Sequence, residues 1–131
     1  MQNEFNNMTQ TDFWDYVYSW DIAIEGDFDH KKYFWSYKDK LTLKNIKING
    51  FANKLDWINW INNEQSIFIA DMGYDRYGEI ETEWIPNPTI EPVIMVKLKN
   101  GYYDIVDGWH RTALAFKNNL NNIPVVLGIE E

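Results

Sequence analysis

At 131 residues, with 12 basic side chains against 20 acidic ones and no cysteine, the chain is long enough for one core-bearing domain. It is barred from disulfides, thiolate metal sites and cysteine nucleophiles. Two histidines, His30 and His110, do not by themselves make a zinc site. The net charge of -8 disfavours unassisted contact with duplex DNA, whose phosphates call for clustered Lys and Arg.

Met1 to Gln10 has neither a basic patch nor an apolar run, so no signal peptide or membrane anchor is expected and the sequence reads as cytoplasmic. The charge is unevenly placed: residues 1–40 carry a net -4, 41–63 a net +2, 64–91 a net -6, and 92–131 balance to zero. Seven Trp, eight Tyr and seven Phe make an aromatic-rich chain, and rings of this kind serve cores and partner surfaces alike.

In chain order, Thr9-Gln10-Thr11-Asp12 resembles a capping box, and Phe13, Tyr16, Val17, Trp20, Ala23 and Ile24 recur at helical spacing, predicting a helix over about 10–24 that Gly26 and the charges of 27–32 end. Tyr33 to Tyr37 is aromatic and too short to classify. Leu41 to Ile48 alternates with a phase shift at Lys44-Asn45 and predicts a bulged strand closed by Asn49-Gly50. Leu55, Ile58 and Ile61, widened by Trp57 and Trp60, predict a second helix over 53–63. Ser66 to Ala70 reads as a short strand. Residues 71–92, with Gly73, Gly78, Pro86, Pro88 and Pro92, read as loop with one strand near Glu79 to Trp84.

The C-terminal third is more explicit. Pro92 to Leu98 is an apolar, β-branched run, Asn100-Gly101 is a strong hairpin signal, and Tyr102 to Asp107 returns antiparallel. A third helix follows over 110–119. Ile123-Pro124-Val125-Val126-Leu127 reads as a closing strand at a sheet edge, because proline cannot donate to a ladder. The expectation is one α+β domain, with 1–60 a mainly helical extension carrying one strand and 64–131 the core.

One stretch carries a chemical message. Val106 and Asp107 close a strand, Gly108 permits a sharp turn, and Trp109-His110-Arg111 open a helix whose first N–H groups lack intrahelical partners. Such an N-terminus attracts anions, and a cationic Arg111 with a titratable His110 would add side-chain donors. Phosphate is the natural guest. Asp107 reads either as a ligand for a nucleotide-borne Mg²⁺ or as the helix N-cap, and Trp109 either as a stacking platform or as core.

The order of strand, Asn-Gly hairpin, strand, Asp-Gly-Trp-His-Arg, helix and Ile-Pro-Val-Val over about residues 90–128 resembles the ParB/sulfiredoxin superfamily. The resemblance implies a small mixed sheet with flanking helices, in which a Gly-x-x-Arg or Gly-x-His-Arg turn binds nucleotide phosphate. It implies that Gly108, Trp109, His110, Arg111 and Thr112 bind ATP or another nucleotide, that Asp107 sits at a Mg²⁺ beside them, and that His110 and Arg111 carry any catalysis. Sulfiredoxins place a catalytic cysteine where Trp109 stands, so that chemistry is excluded. The free-serine kinases of the superfamily use a similar Gly-x-His-Arg turn and an upstream acidic base.

Elsewhere, His30 in Asp-Phe-Asp-His-Lys-Lys reads as a solvated loop histidine before a general base, and residues 71–79 lack the carboxylate spacing of a calcium loop. Glu79, Glu81 and Glu83, if on a strand, share one face at about 6–7 Å, roughly twice the phosphate rise of a DNA strand.

Two functions of different class are therefore open. One is nucleotide binding with phosphoryl transfer or hydrolysis, Arg111 stabilising the transferred group, His110 donating to phosphate or shuttling a proton, and Asp71, Asp75 or Glu79 as base. The other is a non-catalytic acidic inhibitor of the phage or mobile-element kind, occupying a basic or nucleic-acid-binding protein through residues 64–91. A nuclease ranks third, its substrate repelled by the negative field.

Overall fold

Val93 to Val96 and Ile123 to Leu127 are apolar without interruption, the mark of strands covered on both faces rather than one. The computed structural model describes residues 4–21, 29–88 and 91–131, the side chains of residues 19–21 and His30 excepted. Its helices are α1 (Gln10–Asp21), α2 (Lys54–Met72), α3 (Arg76–Glu83) and α4 (Trp109–Lys117), and its strands β1 (Tyr33–Thr42), β2 (Val93–Lys97), β3 (Tyr103–Asp107) and β4 (Asn122–Glu130).

The strands form one mixed sheet in the order β1-β4-β2-β3. β4 runs antiparallel to β1 and parallel to β2, and β2 runs antiparallel to β3. Side-chain alternation sorts the apolar runs between two cores. Val93, Met95, Ile123, Val125 and Leu127 face α2, α3 and α4, packing with Trp57, Ile61, Leu114 and Phe116. Ile94, Val96 and Val126 face the other way, onto Phe13 and Val17 of α1 and onto Trp35. The architecture is α+β, and β1 ties the N-terminal region into the same sheet as the C-terminal strands. Among the described residues no helix is long and apolar enough to cross a membrane.

Local chemistry explains the element ends. Thr9 N donates to Asp12 Oδ2 (3.0 Å), while Asp12 N donates to Thr9 Oγ1 (3.2 Å), the reciprocal cap expected from the sequence. Residues Ala23, Ile24 and Gly26, expected to finish that helix, lie outside the described residues, as does the side chain of His30. At the hairpin, Leu98 N donates to Tyr102 O (2.8 Å) around Asn100-Gly101.

Four expectations are corrected. The strand expected over Leu41 to Ile48 ends at Thr42: Lys44-Asn45 is a turn with Asn45 at φ 60°, and Ile48 makes an isolated parallel bridge to Tyr103. Ser66 to Ala70 is helical, the continuation of α2 as far as the left-handed cap at Gly73; a five-residue apolar run does not separate buried strand from helix by period alone.

Glu79 to Trp84 is likewise not a strand. Asp75 caps α3 by accepting from Gly78 N (2.9 Å), so Arg76–Glu83 is helix inside a segment expected to be loop. Last, β4 is an inner strand and not an edge. Pro124 is tolerated because β1 bulges between Lys38 and Leu41 opposite it, and because pairing with β2 starts only at Val93 and Val125.

Candidate functional site

Gly108 is the hinge of the site. Its φ of 104° is left-handed, and a Cβ there would stand 3.0 Å from Val93 Cγ2 and 3.2 Å from Arg111 Nη2, so both the backbone and the space call for glycine. It is the N-cap of α4 and offers no side chain to the helix. The first α4 amide with a backbone acceptor is Thr112 N, on Gly108 O at 2.9 Å. The N–H groups ahead of it are the open end of the helix dipole.

That end opens on a cavity of about 740 Å³ whose floor is Asp107 to Arg111, within the size range of pockets that take nucleotide-sized ligands. Its far wall is α3, where Arg76, Glu79, Ile80 and Glu83 recur at i, i+3, i+4 and i+7 on one face. Trp84 and Glu91 close one side. The four carboxylates of the lining outnumber its two guanidinium groups, so a bare polyphosphate would meet repulsion and a cation-bound one would not.

The structure brings together the residues expected at the bend and separates their roles. Arg111 is buried, 8% exposed. Its Nη2 lies 2.7 Å from Asp107 Oδ2, and its Nη1 donates to the carbonyls of Glu91 (2.5 Å) and Pro92 (3.2 Å). It therefore clamps the start of β2 to the β3–α4 corner and is not the free cation expected. Asp107, expected as metal ligand or N-cap, does not cap α4 but holds Arg111, and its carboxylate is 29% exposed toward the cavity. Thr112, expected among the nucleotide contacts, is wholly buried with its hydroxyl on Gly108 O (2.8 Å) and serves to fix the bend.

Trp109 belongs to an aromatic cluster. Its ring stacks on Trp57 (centroids 5.2 Å, planes 30° apart) and meets Phe51 and Trp60 edge-on. Gly50, at φ 131°, lies so close that a Cβ there would be 2.7 Å from the indole. His110 is sandwiched between Trp60 (5.2 Å, 25°) and Tyr77 (5.0 Å, 22°). Burial in this stack holds its pKa below the ordinary histidine value, with Arg76 acting in the same sense and Glu64 and Asp107 opposing. The imidazole is neutral near pH 7, a donor and acceptor at the cavity rim and not a charge.

No family model and no curated protein matches this chain.

Of the three carboxylates expected as a base, Glu79 alone lines the cavity. Asp71 is an exposed residue of α2, and Asp75 is occupied by its cap and by Gln65 Nε2. Arg76 and Glu91 were not singled out by the sequence, and Glu83 only as part of a strand face. The spacing of Arg76 and Glu83 from Glu79 and Ile80 places them on one wall once Asp75-x-x-Gly78 is taken as a helix start, whereas Glu91 lies beyond α3 and has no such signal. Among the described residues no three His, Asp or Glu side chains gather as a ready-made cation site. A Mg²⁺ would take some of its ligands from phosphate and water, with the carboxylates of Glu79, Glu83, Glu91 and Asp107 in the lining of the same cavity.

Proposed function

We propose that this protein binds a nucleotide as its Mg²⁺ complex at the Gly108 bend, in the manner of the ParB/sulfiredoxin superfamily that the sequence over about 90–128 resembles. The observation that carries this reading is the uncapped N-terminus of α4 opening on a cavity of about 740 Å³ with a carboxylate wall opposite. Phosphate oxygens take the free N–H groups, and a divalent cation relieves their repulsion from Glu79 and Glu83. Where phosphoryl transfer or hydrolysis follows, Glu79 is the base candidate and neutral His110 the donor to phosphate. Arg111 contributes positive charge from a position fixed by Asp107.

Thermal shift with ATP, ADP, CTP and GTP, each with and without Mg²⁺, tests the proposal. A Mg²⁺-dependent rise in Tm for at least one nucleotide is expected, lost in Glu79→Trp, whose ring would fill the cavity from an exposed helical position. Absence of any nucleotide-induced shift overturns it.

The acidic-inhibitor reading keeps one specific support. Ile67, Ile69, Met72 and Tyr74 are exposed within the acidic 64–91 segment, apolar side chains among negative ones of the kind that suit a basic protein partner. Its phosphate-mimic spacing does not survive, because α3 turns Glu79 and Glu83 into the cavity while Glu81 faces Lys117 and Asn118.

A further inference from the structure

We infer that the protein carries a second ligand site, for an amphipathic organic anion, in the groove between the Thr42–Lys54 segment and the α4–β4 turn. The cavity there is about 970 Å³ and shares no lining residue with the one at Gly108. Its floor is apolar, made by Leu43, Ile48, Trp57 and Phe116, each buried in the core beneath. Its polar lining contains Lys44, Lys47 and Lys54 and no carboxylate, in a chain whose net charge is -8. A lining of one sign against the molecular average selects ligands of the opposite sign.

The amides point the same way. Asn53 spends its Oδ1 on Asp56 N (3.0 Å), and Asn119 spends its Oδ1 on Lys54 Nζ (2.8 Å), so each retains its NH₂ group as a donor. The walls are pinned by backbone bonds, Leu43 N to Asn121 O (2.9 Å) and Tyr103 N to Lys47 O (2.8 Å), so the groove is built into the fold. Lys47 lies over the Tyr102 ring at 5.7 Å, which keeps its ammonium at the mouth.

Donors and cations at the rim above an aromatic and aliphatic floor fit a carboxylate, sulfonate or phosphate ester with an apolar body. Lysine heads impose no bidentate geometry, so the anionic group can be any of these. The site is independent of nucleotide binding at Gly108, and either can fail without the other.

The test uses the full chain and two dyes of matched shape, anilinonaphthalene sulfonate and the uncharged phenylnaphthylamine, followed by fluorescence. Saturable one-to-one binding of the sulfonate is expected, with the uncharged dye bound several-fold more weakly. The double substitution Lys44→Gln/Lys47→Gln should weaken the sulfonate about tenfold, and Lys38→Gln, outside the groove lining, should leave it unchanged. Non-saturable binding, equal affinity for the two dyes, or an unaltered double variant each overturns the inference. The dye comparison needs only the wild type, so it decides even if the double variant fails to fold.

Discussion

Asp107 and Arg111 stand four residues apart, on either side of the Gly108 bend, with Oδ2 and Nη2 at 2.7 Å, in a corner where the arginine also bonds two β2-side carbonyls. An exposed ion pair contributes at most about 1 kcal/mol, and breaking a buried one costs about 3–5. With Asp107 partly solvated, Arg111→Ala is expected to cost about 2–3 kcal/mol in urea denaturation. Arg111→Lys should not recover it, since one ammonium cannot reach three acceptors in fork geometry. The Lys117–Glu81 pair, at 3.7 Å and with its cation more exposed than Arg111, should show less than about 1 kcal/mol of coupling in a double-mutant cycle. Loss of nucleotide binding in an Arg111 variant would consequently report the corner as much as the ligand.

Gly108 and Gly73 both sit at positive φ, 104° and 76°, but a Cβ at Gly73 meets nothing within 4 Å while one at Gly108 meets Val93 and Arg111. Alanine at Gly73 should cost about 1 kcal/mol for backbone strain alone. At Gly108 the same strain is joined by displacement of the Arg111 clamp, and about 2–4 kcal/mol is expected. Parallel chemical denaturation of the two variants checks the ordering; equal losses would mean that the corner yields without cost.

The parts of the site made by neighbours in sequence were legible, and those made by distant segments were not. The β2 and β3 runs, the Asn100-Gly101 hairpin and the strand-Gly-helix order of 103–117 are local signals, and they fall where the structure has them. The Arg111 acceptors are carbonyls 19 and 20 residues upstream, which no side-chain pattern announces. The α3 wall falls in a segment whose Gly73, Gly78, Pro86, Pro88 and Pro92 read as loop with one strand near Glu79 to Trp84, and the helix there starts from a cap at Asp75. Pro124 argued for an edge and was answered by a bulge on another strand, a compensation written in β1.

Asp75 joins the α3 wall to α2. Its Oδ1 accepts from Gly78 N at 2.9 Å, and its two oxygens accept from Gln65 Nε2 at 3.0 and 2.9 Å. Asp75→Ala should cost about 1–2 kcal/mol for the lost cap. Because Glu79 and Glu83 ride on that helix, Mg²⁺-dependent nucleotide stabilisation should fall as well, while Asp75→Asn, which still caps, keeps most of both. Calorimetry with and without Mg²⁺ nucleotide separates the two effects. A fully retained ligand shift in Asp75→Ala would remove α3 from the site.

Between Trp60 and Tyr77, His110 is held neutral by burial, its pKa below the ordinary value near 6.5. In the window between the lowered folded pKa and the unfolded one, the unfolded chain binds more protons on this ring than the native state does. Stability from this source is complete above about pH 6.5 and declines as pH falls toward the folded pKa. His110→Phe keeps a ring in the stack and cannot titrate, so the difference in Tm between wild type and variant should move against the wild type between about pH 7.5 and about pH 5. Carboxylate titrations common to both chains cancel in that difference. A phosphate at the α4 terminus would favour the imidazolium, so saturating Mg²⁺ nucleotide should flatten the same difference. A pH-independent difference would contradict the neutral stack, and a pH-dependent one untouched by nucleotide would separate His110 from the phosphate.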